Sequence, residues 1–305
     1  MKVLITGSNG LLGQKLINLL GTYKDLEVIA TSRGANKIPL EASNIYYHTL
    51  DVTKPDEVNS LISVHSPEII IHTAAMTDVD KCEVHKEDCW KLNVEATGNI
   101  VEAAARINCF LIHLSTDFIY DGENGPYHED DIPNPVNFYG KSKLAAEKVV
   151  TEGKLNWAIV RTVLVYGQAP GLKRSNLILW VKNNLENNRF IPLVDDQWRT
   201  PTLAEDLAMG CYLIAKGKHK GVFNISGKEL LTPYQMAIQT ARYFHLNCKY
   251  IQKVNASTFS QTATRPPRTG FNIDKAREVL GFQPHSFSEG IAILSQQLEE
   301  VNDLS

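Results

Sequence analysis

Hydrophobic residues follow two alternating spacings over the first half of this 305-residue chain. Short continuous apolar runs rich in β-branched residues are typical of strands buried on both faces. Between these runs, apolar residues recur three and four positions apart, which predicts amphipathic helices. The predicted strands are Lys2–Thr6, Glu27–Thr31, Asn44–Leu50, Ile69–His72, Phe110–Leu114 and Ala158–Arg161. The predicted helices are Leu11–Leu20, a helix that ends at Val64 with Thr53 or Asp56 as its cap, Glu83–Asn108 and a helix around Tyr139.

Alternating strands and helices imply right-handed crossovers and a parallel sheet. We therefore expect an α/β protein with a Rossmann doubly wound parallel sheet as the dinucleotide-binding domain, over residues 1–165. The pattern is looser after Gly167, where a smaller C-terminal α/β substrate-binding domain is expected over residues 166–305. A helix and a strand near residues 203–225 are expected to return to the first domain. The predicted elements of this half are helices Ser175–Asn188, Leu203–Lys216, Thr232–Phe244 (capped by Thr232) and Asp274–Leu280, and strand Val222–Ile225.

Composition narrows the choice of partners and compartment. The chain has a formal net charge of -3, with 43% hydrophobic and 21% charged residues. This balance is ordinary for a globular protein and indicates neither nucleic acid nor an anionic membrane surface as a partner. Five widely spaced cysteines without C-x-x-C form neither a disulfide framework nor a zinc motif. With no apolar stretch near ~18 residues and no signal peptide, we expect a cytoplasmic protein without a metal.

A glycine-rich turn follows the first predicted strand and opens the first predicted helix. Its G-x-x-G-x-x-G spacing is formed by Gly7, Gly10 and Gly13. Glycines at such a turn let the backbone approach a pyrophosphate, whose charge then sits at the helix N-terminus. We therefore predict a dinucleotide site that also includes Asn9, Leu11 and Leu12.

The end of the second strand indicates which dinucleotide binds. A carboxylate there would hold the ribose 2′-hydroxyl of NAD, whereas an arginine accommodates the 2′-phosphate of NADP. This chain has Ser32 and Arg33 at that position, so we predict NADPH, with NADH as the other possibility. The remaining predicted cofactor contacts are Asp51 and Val52 near the adenine and Thr73, Ala74 and Ala75 near the nicotinamide ribose.

A Tyr-x-x-x-Lys spacing places Tyr139 and Lys143 on one helix face, because residues four apart project together. A phenol has a pKa near ~10, and a neighbouring cation favours its ionised form. The pair therefore suits proton transfer to a carbonyl oxygen. Thr116, at the carboxyl end of the fifth strand, supplies a hydroxyl that can bond to the same oxygen.

Taken together, these motifs resemble an extended short-chain dehydrogenase/reductase of the dTDP-4-dehydrorhamnose reductase family. The resemblance rests on the glycine turn, HTAA, STD, YGKSK, RTVLVYG and DQWRTPT, and it runs over essentially the whole chain. It implies reduction of the C4 keto group of a dTDP-linked 6-deoxy sugar, as in dTDP-rhamnose biosynthesis, with NADPH or NADH.

The resemblance also assigns roles to single residues. Tyr139 would donate a proton to the nascent alkoxide, Thr116 would polarise the ketone, and Lys143 would hold the ribose hydroxyls and tune Tyr139. Both Tyr139 and Lys143 would thus contact the cofactor as well. The positions implied to contact the nucleotide-sugar substrate are Thr77, Val79, Thr116, Leu164, Trp198 and Arg199. The long helix Glu83–Asn108 and the Tyr139 helix commonly form dimer faces in the superfamily, so a homodimer is possible.

Two other readings stay open. Arg199, Arg268 and the segment SGKELLTPYQMA also resemble the regulatory β subunit of methionine adenosyltransferase, which would make the protein a non-catalytic NADP-binding partner of another enzyme. A sugar-nucleotide epimerase is a further alternative, but the missing carboxylate near Arg33 disfavours tightly bound NAD. Dehydration is disfavoured because Phe118 stands where dehydratases carry a glutamate after the aspartate.

Overall fold

The computed structural model of the protein describes residues 1–38, 42–172 and 176–303. Its strands are β1 (Lys2–Thr6), β2 (Glu27–Ser32), β3 (Ile45–Thr49), β4 (Ile69–His72), β5 (Phe110–Thr116), β6 (Trp157–Thr162), β7 (Val165–Tyr166), β8 (Ile191–Val194), β9 (Thr202–Leu203), β10 (Gly221–Asn224) and β11 (Ile251–Val254). Its helices are α1 (Leu11–Gly21), α2 (Pro55–His65), α3 (Val79–Val84), α4 (Lys86–Trp90), α5 (Ala96–Arg106), α6 (Phe138–Glu152), α7 (Leu177–Glu186), α8 (Ala204–Gly217), α9 (Pro233–Tyr243), α10 (Asp274–Leu280) and α11 (Phe287–Asp303).

A seven-stranded sheet with the order β10-β6-β5-β4-β1-β2-β3 forms the centre of the molecule. Every pair in it is parallel, and β4 and β5 are buried along their whole length. Continuous β-branched runs such as Ile69–Ile71 fit this position, because helices cover both faces of the sheet. The predicted Rossmann fold is therefore confirmed. The strand order reverses between β1 and β4, which opens the ligand crevice at the carboxyl ends of the strands.

Residues after β6 contribute both to this sheet and to a smaller lobe. Strand β10 pairs with the edge strand β6, and α8 packs on α1 through a shared apolar cluster. The smaller lobe contains α7, α9, α11 and two two-stranded sheets, β11-β8 and β7-β9. A domain boundary at residue 165 stays a prediction. Within the described ranges, no helix combines the length and apolarity needed to cross a bilayer.

The predicted single helix Glu83–Asn108 is wrong. Helices α3 and α4 precede a π-helical turn, Lys91–Glu95, and only then does α5 begin. His85 interrupts the run, with φ -110° and ψ 63°. In the π turn, Asn93 accepts a hydrogen bond from the Met76 amide (2.7 Å) and donates to the Ser142 hydroxyl (2.9 Å). Such turns often mark functional sites, and this one ties the segment after β4 to α6.

Other predictions on secondary structure need smaller corrections. The N-cap of α2 is Lys54, because the Thr53 hydroxyl bonds to Asp51. Thr232 caps α9 as predicted, in a full capping box with Gln235. The helix predicted from Ser175 begins at Leu177, and Ser175 itself lies outside the described residues. Helix α11, which is absent from the predicted elements, packs Phe287, Ile291 and Leu294 into the smaller lobe.

Candidate functional site

Glycines shape the loop between β1 and α1. Gly7 has φ +70°, and a Cβ there would lie 2.8 Å from the main chain after β4. A Cβ on Gly13 would lie 2.4 Å from the Gly7 carbonyl oxygen. No described side chain caps α1 at Gly10, so the first amides of the helix, including those of Leu11 and Leu12, remain available. A tight turn with free amides at a helix N-terminus fits a pyrophosphate.

The loop after β2 folds back onto this turn. The Asn9 side chain donates to one main-chain group of the loop at 2.9 Å and accepts from another at 3.0 Å. Arg33 is exposed in this loop. The hydroxyl of Thr53 is the main cause that lowers the pKa of Asp51, and the charge of Arg33 contributes. A guanidinium therefore lies at the carboxyl end of β2, where the sequence predicts the 2′-phosphate contact.

The other predicted cofactor residues lie at the carboxyl ends of neighbouring strands. The Ser32 carbonyl accepts from the Leu50 amide at 3.0 Å, which holds the ends of β2 and β3 together. Asp51 closes a turn, since it accepts from the Thr53 amide at 3.0 Å and from its hydroxyl at 2.7 Å. Val52 is buried beside it. Their contacts with a cofactor stay predictions.

Small residues continue this edge after β4. The Thr73 hydroxyl donates to the Thr6 carbonyl at 2.6 Å, and the Thr6 hydroxyl accepts from the amides of Thr73 (3.2 Å) and Ala74 (3.3 Å). These bonds fix the segment directly beside Gly7. Ala74 and Ala75 are half-buried and carry only a methyl group, which leaves room at the crevice.

Thr116, Tyr139 and Lys143 come together at the same edge of the sheet. Tyr139 and Lys143 lie one turn apart on α6, with relative exposures of 8% and 3%, and Thr116 ends β5 at 6%. Burial raises the pKa of Tyr139, and a hydrogen bond with the Thr116 hydroxyl opposes that rise. The Nζ atom of Lys143 lies 3.3 Å from Nε2 of His113. The structure thus assembles the three side chains that the sequence singles out.

The electrostatics of this group differ from the expectation that Lys143 would favour an ionised phenol. Burial dominates instead, so the pKa of Tyr139 is raised and the phenol is protonated at neutral pH. Burial also lowers the pKa of Lys143 to about 8, although the Glu147 carboxylate opposes this change. His113 is neutral, because burial lowers its pKa well below the usual value, and its ring nitrogen can accept a hydrogen bond from the ammonium.

Helix α6 is held against the end of β5 by its first turn. Asn137 caps it by accepting from the Gly140 amide at 2.8 Å. The same side chain donates to the Thr264 carbonyl at 2.8 Å, which ties the cap to the C-terminal part of the chain. A Cβ on Gly140 would lie 2.0 Å from the Phe118 carbonyl oxygen. Only glycine permits this approach, which lets the first turn of α6 pack against the segment that follows Thr116.

On the predicted substrate side, the residues differ in exposure. Thr77 is exposed, whereas Val79 packs with the buried cluster of Cys82, Cys89 and Tyr139. Leu164 is 44% exposed and has φ +38°, a left-handed backbone conformation that is unfavourable for leucine. An exposed apolar side chain held in a strained conformation is typical of ligand sites.

Trp198 and Arg199 lie in the loop between β8 and β9, where Trp198 pairs with Arg268. The Arg268 guanidinium lies over the Trp198 ring, 5.7 Å from its centroid. Arg199 is 6% exposed, and its NH groups donate to the carbonyl oxygens of Trp198 (2.7 Å) and Pro266 (2.7 Å). The guanidinium of Arg199 is thus engaged by these main-chain groups, its Nε also lies 3.7 Å from Oδ2 of Asp117, and a substrate contact for it stays a prediction.

Two carboxylates near the site, Asp117 and Asp80, are not among the residues predicted from the sequence. Asp117 bonds to Thr116 at 3.0 Å, and its other oxygen bonds to Thr269. Asp80 at the start of α3 accepts a hydrogen bond from NH1 of Arg265 at 2.7 Å. This bond connects the C-terminal part of the chain to the predicted substrate side. The local sequence signals for these contacts are the charged side chains of Asp80, Asp117 and Arg265 themselves. Their partners are 152 and 185 residues away in sequence, so spacing gives no hint of them.

A parallel doubly wound sheet, a glycine turn and a Thr, Tyr and Lys group at its carboxyl edge define an extended short-chain dehydrogenase/reductase. Residues 1–300 match the family model described as RmlD substrate binding domain, and the chain belongs to that family. The predicted family is therefore confirmed.

Similar proteins include both of the types that the sequence resembles. The crystal structure of a dTDP-4-dehydrorhamnose reductase from Clostridium acetobutylicum is 27% identical with a TM-score of 0.85, covering 98% of this chain and 100% of that one. The same enzyme from Bacillus anthracis, solved in complex with NADP, is 26% identical with a TM-score of 0.83, covering 97% and 99%. Methionine adenosyltransferase 2 subunit beta from Bos taurus is 33% identical over 261 residues, which is 84% of this chain and 76% of that protein.

Proposed function

We propose that the protein uses NADPH to reduce the C4 keto group of a nucleotide-linked 6-deoxy sugar, of the dTDP-4-dehydrorhamnose type. The observation that carries this proposal is the buried group of Thr116, Tyr139 and Lys143 at the crevice beside the glycine turn. The similarity to dTDP-4-dehydrorhamnose reductases over nearly the whole chain supports it.

Residues of the crevice can be assigned to the successive groups of the cofactor. The turn of Gly7, Gly10 and Gly13 takes the pyrophosphate at the start of α1. Ser32 and Arg33 hold the 2′-phosphate. Because the planar guanidinium can donate two hydrogen bonds to one phosphate, this contact favours NADPH over NADH. Bound there, the reduced nicotinamide supplies the hydride. The other contacts we propose are Asn9, Leu11, Leu12, Asp51, Val52, Thr73, Ala74 and Ala75.

The side chains of the site handle the proton. Tyr139 is protonated at neutral pH and donates its hydroxyl proton to the ketone oxygen as that carbonyl becomes an alcohol. Lys143 holds the ribose hydroxyls next to Tyr139 and stabilises the phenolate that remains. Thr77, Val79, Leu164 and Trp198 line the sugar nucleotide. A homodimer and a cytoplasmic location stay predictions.

The decrease of kcat/KM at alkaline pH should follow the deprotonation of Lys143. Its pKa is lowered to about 8 by burial, and only the protonated amine stabilises the phenolate. We expect kcat/KM to be constant below about pH 8 and to fall as the pH rises above it. Initial rates between pH 6 and 10 (about two units on each side) measure this. A profile that rises through that range would contradict the role of Lys143.

Replacing Arg33 with Ala should change the choice of cofactor. A hydrogen bond to a charged group contributes about 1.5–3 kcal/mol, so the KM for NADPH should rise about tenfold or more. The KM for NADH should stay the same, because NADH carries no 2′-phosphate. Arg189, an exposed arginine in the smaller lobe, gives the matched control as Arg189→Ala. Equal losses with both cofactors would contradict the proposed contact.

The test of the function itself is a panel of 4-keto-6-deoxy sugar nucleotides, with loss of NADPH absorbance and product identity as readouts. We expect turnover of at least one member by the wild type and strong loss in Lys143→Met. Lys148→Met is the matched control, since Lys148 lies on the same helix but is 72% exposed. No oxidation of NADPH with any member would overturn the proposal.

A second candidate is a cofactor-binding partner subunit without reductase activity. The 33% identity to methionine adenosyltransferase 2 subunit beta favours it. It predicts that the purified protein forms a stable complex with a methionine adenosyltransferase and alters its kinetics. Complex formation together with an inactive sugar panel would select this candidate, whereas sugar reduction without complex formation would exclude it.

A further inference from the structure

Asp117 is a buried carboxylate that the proposed reaction leaves without a role. It directly follows Thr116, the last residue of β5, and is 3% exposed. Burial of an ionised carboxylate is unfavourable unless hydrogen bonds and opposite charge compensate. Its partners therefore indicate what the carboxylate holds in place.

The two oxygens of Asp117 face different parts of the molecule. Oδ1 accepts a hydrogen bond from the Thr116 hydroxyl at 3.0 Å. Oδ2 accepts from the Thr269 hydroxyl and lies 3.7 Å from Nε of Arg199. In turn, the Thr269 amide donates to the Trp198 carbonyl at 3.1 Å. The carboxylate thus connects Thr116 to the C-terminal part of the chain.

These bonds also determine how Thr116 faces Tyr139. A hydroxyl has one proton and two acceptor lone pairs. Thr116 directs its proton to Asp117 and accepts from the Phe118 amide at 3.2 Å. One lone pair of the Thr116 hydroxyl remains, and it is available for the hydrogen bond with Tyr139. The position and direction of this hydroxyl therefore depend on Asp117.

We propose that Asp117 is a positioning residue for Thr116, and that Thr269 controls it from the C-terminal part of the chain. This inference rests on the proposed reductase function, in which Tyr139, hydrogen-bonded to Thr116, donates a proton to the reacting carbonyl. Loss of the Thr269 bond frees Asp117 and shifts Thr116 relative to Tyr139. Chemistry then slows, whereas the cofactor contacts at the glycine turn are unchanged.

The Phe118 amide gives a readout that needs no activity, because it donates to the Thr116 hydroxyl. We expect its hydrogen exchange, measured by NMR, to accelerate about tenfold in Thr269→Val and Asp117→Asn, since each removes a hydrogen bond to or from a charged group. Thr269→Ser keeps the hydroxyl and should exchange like the wild type. Thr240→Val is the matched control, because it removes a buried threonine hydroxyl that donates to the Met236 carbonyl (2.8 Å) within α9.

Kinetics on an accepted keto sugar give the second readout. Thr269→Val should lower kcat about tenfold with an unchanged KM for NADPH, and Thr269→Ser should restore most of it. Equal Phe118 exchange in the Val and Ser variants, or an equal loss of kcat in Thr240→Val, would overturn the inference. A wild type that reduces no sugar defeats the proposed function alone, since the exchange measurement still decides the role of Asp117.

Discussion

Replacement of Tyr139 with Phe is expected to lower kcat by about 10²–10⁴-fold, the usual contribution of a positioned acid. That loss corresponds to about 3–5 kcal/mol of transition-state stabilisation. Phe keeps the ring that packs against Cys82 and Cys89 but lacks the hydroxyl that bonds with Thr116. Without the Tyr139 hydroxyl, no side chain at position 139 can donate a proton to the alkoxide. Steady-state rates at saturating NADPH and keto sugar measure the effect.

Two controls separate loss of the proton donor from a structural defect. NADPH affinity, measured by fluorescence titration, should stay close to the wild-type value, because the glycine turn is unaffected. Tyr212→Phe should turn over normally, since Tyr212 is also buried but belongs to α8 and stacks on Tyr23, which follows α1. Undiminished turnover in Tyr139→Phe would mean that another group supplies the proton, and the assignment of Tyr139 would then be wrong.

Local sequence was sufficient for the parts of the site that a single element builds. In the glycine turn, Gly10 and Gly13 face backbone atoms of the turn itself, and Gly7 has a positive φ, so the conformation can be predicted from the glycines. Tyr139 and Lys143 share a helix face for the same kind of local reason. The parallel sheet also followed from local patterns, because continuous apolar runs alternate with helical spacing.

Properties that depend on distant packing could not be predicted. The sequence placed a cation beside Tyr139, but the surrounding segments bury the phenol and reverse the expected direction of its pKa shift. Asp117 and Thr269 meet although 152 residues separate them. In the same way, the π turn at Asn93 interrupts a regular helical pattern because its side chain bonds to the distant Met76 and Ser142. No spacing rule contains such contacts.

A buried ion pair lies at α6, next to Lys143. Arg161 of β6 donates to Glu147 of α6 through Nε (3.0 Å) and NH2 (2.7 Å), and both side chains are 6% exposed. Its NH1 group donates to the Tyr120 hydroxyl at 2.7 Å and to the Glu129 carbonyl at 2.8 Å. The pair thus joins α6 to the sheet, one turn after Lys143.

Replacement of Arg161 with Met should lower the free energy of unfolding by about 3–5 kcal/mol, because the Glu147 carboxylate would be left buried without its partner. Denaturant unfolding measures this loss. Addition of Glu147→Leu should recover most of it, since well-packed apolar residues often replace a buried ion pair at little cost. Lys2→Ala, which breaks the partly exposed pair with Glu27, should have a much smaller effect. An equal loss in the single and double variants would contradict the buried-charge explanation.

The same double variant should also change the pH dependence of catalysis. The Glu147 carboxylate raises the pKa of Lys143 against the effect of burial, so its removal should lower that pKa below about 8. The protonated amine then persists over a narrower range, and the alkaline limb of kcat/KM should move to lower pH while stability is largely restored. A limb that moves to higher pH would mean that Glu147 does not support the ammonium. Because unfolding and the pH profile are measured on the same double variant, the effect of the ion pair on stability can be separated from its effect on the pKa of Lys143.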